Sequence, residues 1–360
     1  MVTGIVYHQK YLEHEQSPSH PESRERLVYT IEYFEKIGIF DSPDVKILEP
    51  IVATPKDVLA VHHPRYVEFL RKSSEKGGFI DTDTVVLPGL FDIALLAAGG
   101  AIKAAKSVLE DEVNNAFAMI RPPGHHAHPY IGAGFCYLNN IAIAVRWLQR
   151  NGISRILILD FDAHHGDGTQ EIFYEDESVL FISTHQMPLY PGTGYPEECG
   201  KGKGEGYTVN IPLPPGSGDE CYELALNEII KPLAEEFNPE FIAVSTGFDN
   251  HFTDPLTNLA ITAESYTKMM SEVVDLSEKL CGGNIFAVLE GGYSVRKGLP
   301  RTMAGVVLAL AGMDTSKIKN SEEYIDELSY VKRDDAVETV RRNIDTLKKY
   351  HSKYWEVFKK

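Results

Sequence analysis

Residues 156–170 read ILILDFDAHHGDGTQ: four consecutive apolar residues, then two aspartates and two histidines within the next six positions. A strand that is apolar at every position, and not merely at every second one, has both faces covered, the condition of a parallel sheet lying between helices. Runs of the same kind recur at 4–7 (GIVY), 115–120 (NAFAMI), 178–184 (SVLFIST), 207–213 (YTVNIPL), 241–246 (FIAVST) and 284–290 (NIFAVLE). Between them, apolar stripes predict helices at about 22–37, 92–110, 139–150, 219–237, 263–280 and 298–312. That alternation means βαβ units and an α/β fold. No repeat, low-complexity tract or linker interrupts residues 1–313, which are expected to form one domain. The charged stretch 314–360 carries Tyr330, Val337, Val340, Ile344 and Leu347 at helical spacing and reads as a C-terminal helix docked on the same domain.

With 360 residues and 43% hydrophobic content the chain can bury a sizeable core. A formal net charge of −17 argues against direct nucleic-acid binding, because most of the surface repels phosphate, and suits a cationic ligand. The four cysteines, Cys136, Cys199, Cys221 and Cys281, form no CxxC pair and are too few for a disulfide framework, which points to a reducing compartment. The first residues lack a basic stretch before an apolar one, and no uncharged run approaches the length of a membrane span. A cytoplasmic, unprocessed protein without a membrane partner is expected; the oligomeric state is not legible.

Ligands of open parallel sheets bind outside the carboxyl ends of strands. Four segments lie there: RPPGHHAH (121–128), DFDAHHGDG (160–168), TGFDNHFTDP (246–255) and EGGY (290–293). Asp162 and His164, two apart on extended chain, leave one face together, and Asp249 directly follows another strand. Three protein ligands of this kind leave a position open for water and substrate, as in catalytic zinc sites, and their oxygens also suit ferrous iron. Adjacent histidines such as His125 and His126 are, in isolation, more often a satisfied hydrogen-bonding pair than catalysts. Here Asp160 and Asp167 flank the ligands without a ligand role of their own, so each can accept from one imidazole and fix its tautomer. His126 then acts as general base and acid, with His125 as electrostatic support. Tyr293, after two glycines, can approach as a second partner for an oxyanion, the alternative being a half-buried tyrosine in a strand-end turn.

RPPGHHAH with GFCYLNN, DFDAHHGDGTQ, STHQ with YPGTG, TGFDNHFTDPL and EGGY occur in order, and together the chain from about 19 to 312 resembles the zinc-dependent histone deacetylase superfamily. That superfamily includes acetoin-utilisation proteins and acetylpolyamine amidohydrolases, and the spacing is closest to its class II and prokaryotic branch. The resemblance implies a single-domain, arginase-like three-layer α/β fold with a mostly parallel sheet of about eight strands between helices. By position it implies Asp162, His164 and Asp249 as metal ligands, His125 and His126 as the tandem histidines, and Tyr293 as the carbonyl-polarising tyrosine. Phe135 and Tyr190 match the tunnel walls, Tyr190 standing where many relatives have phenylalanine. Asp83 matches the rim aspartate and Arg26 the arginine of the acetate-release channel. A potassium ion is implied near Asp160, Asp162, His164 and Ser183. Leu256 falls where polyamine-selective relatives carry a carboxylate, which favours acetyl-lysine in protein or peptide, or a small acetylated amine, over long acetylpolyamines.

The expected activity is therefore hydrolysis of an acyl-amine bond by metal-activated water, with acetylpolyamine hydrolysis as the alternative. An arginase-type ureohydrolase shares the D-A-H pattern of residues 162–164, but two manganese ions need more carboxylates than Asp249-Asn250-His251 supplies. A non-catalytic acyl-lysine binding module would have lost Tyr293 or one of the histidines, and all are present.

Overall fold

The computed structural model describes residues 1–17, 19–319 and 322–359, so Asn320, Ser321 and Lys360 of the 314–360 stretch lie outside the described residues. Ten strands are present among the described residues: β1 (Thr3–Val6), β2 (Val45–Leu48), β3 (Gly78–Phe79), β4 (Val85–Val86), β5 (Asn115–Ala118), β6 (Ile156–Asp160), β7 (Val179–Gln186), β8 (Thr208–Leu213), β9 (Phe241–Thr246) and β10 (Ile285–Leu289). Eight form one sheet in the order β2-β1-β5-β10-β9-β6-β7-β8, and β3 and β4 pair separately as an antiparallel ribbon. Every pairing within the large sheet is parallel. The seven apolar runs of the sequence all became strands of this sheet. The eighth, β2, escaped them because it is a half-exposed edge, VKIL, with Lys46 and Ile47 facing solvent.

Strands β5, β6, β7, β9 and β10 are buried at every residue, as covering on both faces requires. Helices Leu90–Leu109 and Gly298–Leu310 both touch β5, and Asn140–Arg150 and Ala263–Cys281 both touch β9. The segment 219–237, a single helix in the sequence pattern, contains a π-helical turn at Leu226–Ile230 between two α-helical pieces. Pro232 accounts for the change of winding: it has no N–H for the carbonyl four residues back. In the C-terminal stretch the single expected helix is two, Glu322–Val331 and Ala336–His351. Only the second has the buried stripe, Val340, Ile344 and Leu347; Tyr330 is 87% exposed and belongs to no packed face. The second helix packs against the edge strand β8, where Asn343 Nδ2 donates to the Pro212 carbonyl at 2.9 Å. No helix among the described residues is long and apolar enough to cross a membrane.

The helix Asn140–Arg150 shows how local sequence anchors the site. Asn139 caps it by accepting from Ala142 N, while its own N–H donates to His62 Nε2 at 2.9 Å. His62 Nδ1 in turn donates to the His128 carbonyl at 2.9 Å. One nitrogen must therefore carry a proton and the other a lone pair, so His62 is a neutral imidazole in the fold. Burial pushes its pKa down to about 4, against the weaker upward pull of the His128 carbonyl. The folded-state value lies below the unfolded one, so this stability is present above about pH 6.5 and is lost as the pH falls toward about 4. Urea denaturation across that window is expected to show a loss, with His62 accounting for up to about 3 kcal/mol. A His62→Gln variant should be less stable at pH 7 yet lose less on acidification; an unchanged slope in the variant removes His62 as a cause.

Candidate active site

The four central strands β5, β10, β9 and β6 each deliver one polar segment at their carboxyl ends. Asp160 closes β6, level with Ser183 on β7 and Ser245 on β9. Beyond it the chain turns so that Asp162 and His164 face Asp249, which follows β9. One donor atom from each of these three residues lies within 4.8 Å of the other two, the one such cluster among the described residues. His164 Nδ1 is 3.2 Å from Asp162 Oδ1 and 2.9 Å from Asp249 Oδ2. The second oxygen of each carboxylate is already engaged: Asp162 Oδ2 accepts from Gly291 N at 2.7 Å and Asp249 Oδ1 from Ala163 N at 2.8 Å. One oxygen of each carboxylate is turned toward the imidazole nitrogen, that of Asp162 also accepting from His164 N at 2.9 Å. A set of two carboxylate oxygens and one imidazole nitrogen, oriented by backbone donors, fits a divalent cation.

Two glycines make room for it. A Cβ at Gly247 would stand 2.0 Å from Asp162 Oδ2, and one at Gly291 would stand 2.4 Å from Asp249 Oδ2. Electrostatics also favour a cation here. Asp249 is pushed up to about 6, by burial first and then by the charge of Asp162. Burial alone would raise Asp162 too, but His125 and His164 hold it below the usual carboxylate range.

The tandem histidines follow β5. His125 Nδ1 lies 3.1 Å from Asp160 Oδ2, and His126 Nδ1 lies 2.6 Å from Asp167 Oδ1. Their rings are 4.0 Å apart between centroids. His126, His164 and Tyr293 line the inner part of a cavity of about 270 Å³. Phe135 and Tyr190 form its sides, and Asp81, Asp83, Leu189 and Leu256 complete the lining toward solvent. Phe135 holds a left-handed backbone, φ 70°, with its N–H on Thr84 Oγ1 at 3.2 Å and its ring edge-on to Tyr293 at 5.9 Å. Arg26 does not line the cavity. It is fully buried, donates to the carbonyls of Gly292 and Glu290, and holds its guanidinium 5.1 Å from the Tyr293 ring centroid. Ser183 pairs with His185 Nδ1 at 2.9 Å, and His165 with Thr193 Oγ1 at 2.8 Å and Gln170 Oε1 at 3.0 Å.

Sequence reasoning passed over several residues that hold this arrangement. Glu290 Oε2 accepts from both Gly124 N and His125 N, at 2.7 and 3.1 Å, and its carboxyl is pushed up to about 7, by burial above all. Asp254 accepts from the backbone of Tyr293 at 2.7 Å and of Leu256 at 3.0 Å. Both lie inside segments already singled out, EGGY and TGFDNHFTDP, but most of their partners are backbone N–H groups, which leave no residue-type signature.

Fold and site together define a class: a parallel α/β protein whose sheet ends in a narrow cavity lined by potential metal donors and imidazoles. The chain belongs to the histone deacetylase family, since residues 20–310 match the histone deacetylase domain. A protein of Archaeoglobus fulgidus described as "Probable deacetylase" is 63% identical over 359 residues, covering 100% of both chains. The histone deacetylase-like amidohydrolase of Pseudomonas aeruginosa is 41% identical over 67% of this chain and 64% of that protein. The solved HDA15 HD domain superposes with a TM-score of 0.87 at 30% identity, covering 99% of this chain and 98% of that one. Membership makes the protein a deacetylase-type amidohydrolase of a family that uses a metal ion.

Because an added methyl group at residue 291 meets Asp249 and Asp162 oxygens that are held in place by other bonds, Gly291→Ala is expected to weaken binding of an added divalent metal such as zinc by about 10-fold or more. Metal content after dialysis, with circular dichroism to confirm folding, measures this; full zinc occupancy in a folded variant would show that the cluster is not the metal site.

Proposed function

We propose that the protein is a zinc-dependent deacetylase hydrolysing the amide of acetylated lysine side chains or of related acetylated amines. The observation that carries this reading is the convergence on one cavity of His164 with its two carboxylate partners, His126 with Asp167, and Tyr293. Asp162, His164 and Asp249 would hold zinc or ferrous iron, which when bound polarises a carbonyl and acidifies a water. His126 keeps Nδ1 on Asp167, so Nε2 is the nitrogen that takes a proton from the attacking water and returns it to the leaving amine. His125, tied to Asp160 behind it, supports the positive charge without lining the cavity. The Tyr293 hydroxyl has no hydrogen-bond partner among the described residues and is free to donate to the carbonyl oxygen as negative charge develops there.

Charge balance supports a second cation. Asp160, Asp162, Asp249 and Glu290 are all fully buried, an arrangement that is costly without positive partners. Potassium beside Asp160, Asp162, His164 and Ser183 would supply one. Phe135 and Tyr190 suit the methylenes of an acylated side chain, Asp83 suits a hold on the substrate backbone, and Arg26 suits an acetate exit behind Tyr293. We assign residues 1–313 to catalysis and 314–360 to support of the β8 edge.

Leu256 at the cavity gives an internal ammonium no partner, which favours acetyl-lysine. Asp81 and Asp83 at the same entrance favour a substrate with positive charge outside the tunnel, and an acetylated polyamine shares that feature. The ratio of kcat/KM for an acetyl-lysine peptide to that for an acetylated polyamine, on zinc-loaded protein, decides between them. A preference for the peptide is expected; a clear preference for the polyamine overturns the role given to Leu256. Tyr293→Phe is expected to lower kcat by on the order of 10²-fold, and an unchanged kcat removes that hydroxyl from the reaction.

A further inference from the structure

His128 is the one histidine of RPPGHHAH to which the proposed chemistry gives no task. Both of its ring nitrogens face carboxylate oxygens: Nε2 lies 3.1 Å from Asp167 Oδ2 and Nδ1 lies 2.5 Å from Glu171 Oε2. An ionised carboxylate only accepts, and a neutral imidazole has a single N–H, so both contacts are satisfied together only by the doubly protonated ring. Asp167 and Glu171 stand four residues apart on the helix Asp167–Phe173, a spacing at which like charges repel. An imidazolium between them removes that repulsion.

The backbone aims the ring. His128 N donates to the Ile131 carbonyl at 2.9 Å, and the His128 carbonyl accepts from His62 Nδ1 at 2.9 Å. Asp167 turns its other oxygen to His126 Nδ1 at 2.6 Å. The series His126, Asp167, His128, Glu171 therefore runs from the cavity to the surface, with side-chain exposure rising from 5% through 12% and 21% to 52%.

We propose that His128 is a positioning residue: held as a cation between Asp167 and Glu171, it fixes the orientation of Asp167 and offsets part of its charge, and so sets the aim and basicity of His126. This rests on the reading of His126 as the proton carrier. The titratable groups that face His128 are Asp167 and Glu171 on the helix, His126 on its own segment, and His62, which Asn139 keeps neutral. Burial alone would lower the His128 pKa, but the hydrogen bonds and charges of the two carboxylates raise it above the ordinary histidine value. With a neutral side chain at 128, the full charge of Asp167 acts on His126, which becomes more basic.

The test compares His128→Gln, His128→Lys and Glu171→Gln in the full-length, zinc-loaded protein. With an acetyl-lysine peptide, kcat in His128→Gln is expected to fall by on the order of 10-fold with KM little changed. His128→Lys, which restores the charge, should recover most of the loss. The acid limb of the kcat/KM profile should move to higher pH in the glutamine variant and not in the lysine variant. Wild-type rate and profile in His128→Gln overturn the proposal and leave the deacetylase reading intact. Histidine NMR titration is independent of turnover: His128 is expected to stay protonated through pH 7, with a pKa about one unit lower in Glu171→Gln. A ring that is neutral at pH 7 overturns the proposal. If the unaltered protein cleaves no acetylated probe, the deacetylase reading fails and the titration alone judges the clamp.

Discussion

Carboxylates buried at the carboxyl edge of the sheet are the constraint around which this molecule is arranged. Asp160, Asp162, Asp249, Asp254 and Glu290 are at most 7% exposed, and an ionised group so far from water is tolerated only with compensating donors. Some of those donors come from the carboxylate's own loop, as Asp162 N for Asp160, His164 N for Asp162 and Leu256 N for Asp254, and others come from neighbouring strands. Asp162, after β6, takes Gly291 N from the segment after β10, and Asp249, after β9, takes Ala163 N from the segment after β6. Glu290, after β10, takes Gly124 N and His125 N from the segment after β5. The strand order β5-β10-β9-β6 is therefore part of the site, because it sets these loops side by side so that each satisfies the next.

This cross-tying explains what was legible in the chain. Fully apolar runs disclosed the sheet because burial on both faces leaves a composition signal in every central strand. The convergence of Asp162, His164 and Asp249 was legible because potential cation donors at strand ends are particular residue types. The roles of Glu290 and Asp254 were not, since both accept from backbone N–H groups of segments distant in sequence, Gly124 and His125 for Glu290 and Tyr293 for Asp254. Edge strand β2 was hidden for the opposite reason: one face and one side are open to water, so its alternation is diluted by Lys46. The C-terminal stripe was over-read at Tyr330, where helical spacing continued across a break between two helices.

The two histidine–aspartate pairs share their chemistry but not their surroundings. Asp160 is at the end of a central strand, with Asp162 N and His125 Nδ1 as its donors and no access to solvent. Asp167 opens a short helix nearer the surface and meets a second imidazole, His128. The inner pair is a fixed element of the charge balance around the cation donors. The outer pair borders the cavity, and its carboxylate also meets His128, whose other partner Glu171 is half exposed.

The distribution of charge along the cavity gives the proposed reaction a direction. Hydrolysis of a neutral amide yields an ammonium ion and acetate, two products of opposite sign. Asp81 and Asp83 lie on the solvent side of Phe135 and Tyr190, so the amine gains an attractive field as it withdraws through the entrance by which the substrate came. Acetate meets the same carboxylates as a barrier, while the buried Arg26 guanidinium behind Tyr293 is already paired with Glu22 Oε1 at 3.1 Å and with the carbonyls of Gly292 and Glu290. Under the proposed reaction the charge at the entrance thus acts on the two products in opposite senses, drawing the amine outward and opposing acetate.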